Sequence, residues 1–265
     1  MLRKRQDKIM AFKSYFLSLN QLRRQMSASE LISSTAKGGL ELKITNKFPG
    51  ERILVLSPHP DDEALGCGGT LALYPKRTKV TVIYFSDGTR GTPSGKKIAA
   101  LAEVRRREAA GAAKILKINR QIFLNLPDGR FMADKKTAAA LAGTIKKIAP
   151  DTVFLPTLFD PNRDHQEVCS FFGTASGSLR TKTQIVSYEI WNPLLPNRLV
   201  NITKVVKTKK RAIGAYRSQL DSRRFDQAIL ALNRYRGEIS GAGEFAEAFF
   251  ACDLTTWRRL AKTSL

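Results

Sequence analysis

Histidine is nearly absent from this chain, with two in 265 residues. Acids are scarce as well: 23 Asp and Glu stand against 45 Lys and Arg. The three cysteines, Cys67, Cys169 and Cys252, are odd in number and too far apart for a CxxC pair. This argues against a disulfide framework and suits a reducing compartment, with each thiol expected as a small buried apolar side chain. No run of 18 or more apolar residues occurs, so no membrane span is expected. The opening MLRKRQDKIMAFKSYFLSLNQLRRQ breaks its apolar residues with Lys, Arg or Gln every few positions, unlike the apolar core of a signal peptide. The expected location is the cytoplasm.

The net charge of +22 draws anionic partners: nucleic acid, an anionic membrane surface or a phosphorylated substrate. An aromatic-rich basic strand pair, the usual sign of RNA binding, is missing, and nucleic acid is not expected as the physiological partner. Residues 1–45 read as a basic, partly helical extension, with residues 46–265 as the main domain. Ile9, Phe12, Phe16 and Leu19 share one helical face among Arg3, Lys4, Arg5, Lys8, Lys13, Arg23 and Arg24. Such a stripe docks on the main domain or lies on an anionic membrane, which would place the protein peripherally at the inner membrane surface.

From residue 51 short apolar runs alternate with helical patterns. Strands are expected at 52–57, 79–86, 121–126, 151–156, 183–190 and 198–202. Helices are expected at 63–76, 97–116, 133–149, 165–179, 203–220 and roughly 223–250. The alternation predicts an α/β fold, a mostly parallel sheet with helices on both faces. Ligands of such sheets bind beyond the carboxyl ends of the strands. Loops 57–63, 86–96, 127–131 and 157–164 should gather there.

Two of those loops hold the two histidines. His59 lies in PHPDDE beside Asp61 and Asp62, and His165 follows Asp164 in NRDHQEV. A histidine beside an acid is often a surface pair or a satisfied core residue. Two of them, both in acidic strand-end loops of a basic protein, point instead to a metal. Two imidazoles and a carboxylate are three protein ligands for a catalytic zinc, with a fourth position for water. Nearby acids can accept from the second ring nitrogens. Glu63 is expected to favour the helix dipole. Gly66, Gly68 and Gly69 do not have G-x-G-x-x-G order and are expected to pack a helix closely against the metal loop. Arg90, Arg105, Arg130 and Arg163 lie in or near the site loops, where a substrate phosphate or carboxylate could pair with them; for each singly, and for KVVKTKKR at 204–211, a solvated surface is the simpler expectation.

PHPDDE with GCGGT behind it resembles the signature of the PIG-L or LmbE-like zinc N-deacetylases, which remove acetyl groups from N-acetylglucosamine-containing molecules. SDGTRGT, the Arg105 and Glu108 pair in VRRREAA, LPDGRF with Asp128, NRDHQEV, YEIWNPLLPNRLVNIT, AYRSQL and EFAEAFF extend the likeness over residues 50–250. The resemblance implies a Rossmann-like α/β domain with its metal site at the carboxyl ends of the strands. It implies one zinc per chain on His59, Asp62 and His165, with iron or cobalt chemically compatible. It implies Asp61 as general base, with Arg105 and Asp128 holding the sugar. Arg90 joins them as a substrate-binding candidate. Many members carry a histidine three positions before the second metal histidine, where it helps to stabilise the tetrahedral intermediate; this chain has Asn162, which donates only a neutral hydrogen bond.

The expected activity is zinc-dependent removal of the N-acetyl group from an N-acetylglucosamine-type amino sugar or its conjugate: a glycolipid, a sugar nucleotide or a surface polysaccharide precursor. A phosphate on the substrate would connect the charge to the chemistry. Cleavage of another amide conjugate at the same metal, and a catalytically inactive sugar-binding protein, are the alternatives.

Overall fold

The computed structural model describes residues 41–90, 98–220 and 224–264. The basic stripe of Ile9, Phe12, Phe16 and Leu19, and residues 91–96 of the Gly-rich loop, lie outside them. The strands among the described residues are β1 (Lys43–Thr45), β2 (Arg52–Ser57), β3 (Lys79–Ser86), β4 (Arg120–Leu126), β5 (Thr152–Pro156), β6 (Gln184–Tyr188), β7 (Arg198–Asn201) and β8 (Ala246–Asp253). The helices are α1 (Asp62–Ala72), α2 (Ile98–Leu116), α3 (Lys135–Ile148), α4 (Arg163–Ala175), α5 (Val206–Ile213), α6 (Arg217–Leu220), α7 (Phe225–Ser240) and α8 (Leu254–Ser264).

One sheet runs in the order β1-β7-β8-β6-β5-β2-β3-β4. All neighbours are parallel except β8, which is antiparallel to both β6 and β7. Alternation along β2 sends Ile53 and Val55 to one face and Leu54 and Leu56 to the other. The first pair packs with Ala64, Leu65 and Leu71 of α1 and Ala109 and Ala112 of α2. The second packs with Leu141 and Ile145 of α3, Val168 and Phe172 of α4, and Trp257 of α8. Both faces are therefore covered, and β2 is buried apart from its first residue. No helix among the described residues is long and apolar enough to cross a membrane.

The chain order reverses around β2. It steps from β2 to β3 and β4 on one side, then crosses to β5 on the other. Side chains leaving the carboxyl ends of β2 and β5 meet over that switch point.

Three expectations are corrected. The helix expected over roughly 223–250 stops at Ser240, where Gly241 adopts a left-handed conformation and its N–H returns to the helix. Residues 246–253 then form β8 in the slot between β6 and β7. The glycines of α1 pack away from the metal loop: a Cβ on Gly66 would collide with the Tyr188 ring of β6, one on Gly69 would lie 2.7 Å from Ile202 just after β7, and Gly68 faces Lys209 of α5. The Tyr188 hydroxyl donates to Leu56 O at 2.8 Å, which pins the ring. Gly66→Ala is expected to destabilise by about 1–3 kcal/mol through overpacking. Thermal unfolding checks this, and an unchanged Tm would mean that the Tyr188 ring yields freely.

The third correction concerns the lysine run on α5. Lys209 is fully buried. Its Nζ donates to Glu247 Oε1 at 2.6 Å and to Leu65 O at 2.8 Å. Glu247 also accepts from Gly69 N–H and from the N–H and hydroxyl of Thr70. The pair thus ties α1 to α5 and β8. Lys209→Met leaves the buried carboxylate without its counter-charge and is expected to cost about 3–5 kcal/mol. A urea midpoint equal to that of the parent would contradict this.

Candidate metal centre

PHPDDE forms a tight turn between β2 and α1. His59 N–H donates to Asp62 Oδ2 at 2.8 Å, and Asp62 N–H donates to His59 O at 3.3 Å. The same Asp62 oxygen lies 3.2 Å from His59 Nδ1 and 3.3 Å from His165 Nε2. His165, in the first turn of α4, is fully buried. One ligand atom from each of His59, Asp62 and His165 falls within 4.8 Å of the others. Residues 106 positions apart thus converge on one carboxylate.

The far side of each ring fixes its orientation. His165 Nδ1 lies 3.0 Å from Asp160 Oδ2, and the buried Nε2 has no hydrogen-bond partner. His59 Nε2 lies 3.1 Å from Asp164 Oδ2 and 3.3 Å from Asp128 Oδ1. A hydrogen on each far nitrogen leaves both near nitrogens as lone-pair donors toward Asp62. Two imidazole nitrogens and one carboxylate fit a divalent cation. A second grouping, His59 with Asp128 and Asp164, lies on the other nitrogen of the same ring. Its carboxylates already accept from Arg90 N–H and Gly129 N–H, which suits hydrogen-bond acceptors of His59.

The electrostatics separate the two adjacent aspartates. Burial works against the Asp62 carboxylate, but His165 and His59 overcome it and hold Asp62 well below the usual carboxylate range. Burial pushes Asp61 up to about 8; Arg105 opposes the rise and Asp62 adds to it. Burial opposes charge on His165, yet Asp160 and Asp62 raise it to about 9. His59 is likewise raised against its burial by Asp128, Asp164 and Asp62. A bound cation reverses this logic for the imidazoles and draws Asp61 back down.

Asp61 sits at φ 132 and ψ −26, a strained conformation for a residue with a side chain, costing of order 1–3 kcal/mol. Arg105 lies beneath it, buried, with Nη2 3.9 Å from Asp61 Oδ2 and Nε donating to Gly88 O at 3.2 Å. Arg105 Nη1 has no hydrogen-bond partner. Asp128 Oδ2 accepts from Arg90 N–H at 2.9 Å, and the exposed Arg90 guanidinium donates to Gly129 O at 3.2 Å. Asn162 caps α4, its Oδ1 accepting from Asp164 N–H at 2.9 Å. That use leaves its Nδ2 end as the available donor. Hydrogen bonds and ion pairs link His59, Asp62, His165, Asp128 and Arg90, with Asn162 joined through Asp164, while Asp61 and Arg105 form their own 3.9 Å ion pair at the same turn.

Sequence reasoning expected nearby acids behind the rings but did not say which acid serves which ring. The acid beside His165, Asp164, serves His59, and the partner of His165 is Asp160, five positions earlier. Nothing in FDPNRDH marks Asp160 for that role beyond its place in a strand-end loop.

Residues 54–176 match the family described as PIG-L: GlcNAc-PI de-N-acetylase. The deacetylase YaiS of Escherichia coli K12, itself uncharacterized, is 30% identical over 179 residues, covering 64% of this chain and 91% of that protein. The chain belongs to the PIG-L family. A diacetylchitobiose deacetylase of Thermococcus kodakarensis is 26% identical over 226 residues, covering 76% of this chain and 84% of that protein. A 4-oxalmesaconate hydratase of Pseudomonas putida is 33% identical over 125 residues, covering 44% of this chain and 48% of that protein. The PIG-L match runs from within β2 to just past α4 and includes all eight site candidates.

Proposed function

We propose that the protein is a zinc-dependent N-deacetylase of an N-acetylglucosamine-type amino sugar or its conjugate, with one cation per chain on His59, Asp62 and His165. The observation that carries this is the convergence of two imidazoles, the buried His165 and the half-buried His59, on the single Asp62 oxygen, each ring backed by a further carboxylate. When bound, the cation supplies Lewis acidity that polarises an amide carbonyl and acidifies water.

The chain's own residues do the rest. Asp61 takes a proton from the attacking water as its oxygen bonds to the carbonyl carbon. The Asn162 amide or a backbone N–H donates to the developing oxyanion. Asp61 then returns the proton to the nitrogen as the C–N bond breaks, giving acetate and a free amine. Arg105, Asp128 and Arg90 hold the sugar. Membership of the PIG-L family and the diacetylchitobiose deacetylase relative support the substrate class.

The hydratase relative favours a second reading, in which the same base and cation direct water elsewhere. A panel of N-acetylated amino sugars, assayed for acetate and for primary amine, separates the two. Equal release of both products from at least one sugar supports deacetylation. No release from any sugar, with turnover of an unsaturated acid, supports the hydratase reading.

A further inference from the structure

Glu63 is a helix first-turn acid, yet its carboxylate is fully buried and turned back on the chain. Its Oε2 accepts from Asp61 N–H at 3.2 Å. Its Oε1 accepts from the Tyr216 hydroxyl. Tyr216 lies between α5 and α6 and is buried. The buried Tyr84 hydroxyl on β3 lies beside both Tyr216 and Glu63. Gln121 Nε2 on β4 donates to that Tyr84 oxygen at 3.2 Å. The Tyr216 hydroxyl has one proton and gives it to Glu63, whose other oxygen is left to accept from Asp61 N–H. Asp61 is the residue with the φ 132 conformation.

Asp61 O is anchored as well, accepting from Ala64 N–H at 3.0 Å and Leu65 N–H at 2.9 Å. A strained residue persists only where its surroundings hold it, and such strain concentrates at functional positions. A charge placed only to favour the helix dipole would face solvent and would need neither buried tyrosine.

We propose that Glu63 and Tyr216 are positioning residues that hold the Asp61 backbone, and through it the Asp61 carboxylate, in its working orientation. The proposal rests on the assignment of Asp61 as the base, and the experiment keeps the two apart. Metal-loaded parent, Tyr216→Phe, Glu63→Gln, Glu63→Leu and Asp61→Asn proteins are compared for cation content, kcat and KM on an N-acetylated sugar that the parent turns over. Exchange of the Asp61 amide hydrogen is followed in the same proteins.

Tyr216→Phe should keep its cation and its KM while kcat falls roughly 10- to 100-fold, the scale of a small misplacement of a reacting group. Asp61 amide exchange should speed up. Glu63→Gln, which keeps an oxygen for the Asp61 N–H, should retain far more activity than Glu63→Leu. Adding Tyr216→Phe to Asp61→Asn should cost no further rate, because both act on one group. If Glu63→Leu does not fold, Tyr216→Phe carries the same comparison. A parental kcat in Tyr216→Phe, or the same fractional loss with and without Asp61→Asn, overturns the positioning role. A parental kcat in Asp61→Asn overturns it by a different route, through the base assignment itself.

Discussion

Asp62→Ala is expected to abolish cation binding and, with it, acetate release. One Asp62 oxygen faces both imidazoles and also accepts the His59 backbone N–H. Its removal takes away a ligand, the counter-charge of two histidines and the hydrogen bond that closes the PHPDDE turn. Loss of a hydrogen-bond partner behind a ligand typically weakens a metal site ~10–100-fold, and loss of the ligand itself should exceed that. Asp62→Asn separates the causes. It keeps an oxygen for the His59 N–H, so the turn should survive, but the negative charge is gone and the cation should still be lost. Cation content and acetate release, measured on both folded variants, check this. A full complement of cation in Asp62→Asn would move the site elsewhere.

Asp61→Asn should do the opposite with metal. Its carboxylate is outside the His59, Asp62 and His165 group, and its closest charged partner is Arg105 at 3.9 Å. The cation should remain, while kcat falls ~10²–10⁴-fold, the usual contribution of a positioned proton acceptor. Asparagine is among the residues that best tolerate an unusual backbone conformation, so the turn should hold. Turnover close to that of the parent with the cation in place would remove Asp61 from the mechanism.

The parallel core was legible because strands buried on both faces read as continuous apolar runs: RILVLS, KVTVIYFS and DTVFLP each became a strand. β8 was not. AEAFFACD carries Ala, Glu and Phe spaced much as a helix would carry them, and it follows directly on a real helix. What makes it a strand is the slot between β6 and β7, filled from 63 and 49 residues away in the paired register Ser187 to Phe250 and Leu199 to Ala248. Local pattern holds no record of that. Lys209 failed for the same reason. Its run of neighbours is basic and exposed, and only the arrival of Glu247 makes burial tolerable.

The site divides along the same line. Two histidines in a chain this poor in them, each at a strand end, located the centre. The roles around it depend on packing. His59 is served by Asp164 from the other loop, Asp160 is drawn in behind His165, and Glu63 turns inward to Tyr216. A sequence gives the donors, but the fold pairs them.

The most direct test is a titration. The protein is stripped of metal, zinc is added back in known increments, and acetate release from an N-acetylglucosamine-type substrate is followed at each step. The account predicts no release from the stripped protein and a linear rise that levels off at one zinc per chain. Full release before any cation is added, or none at any loading from a panel of such sugars, would contradict it.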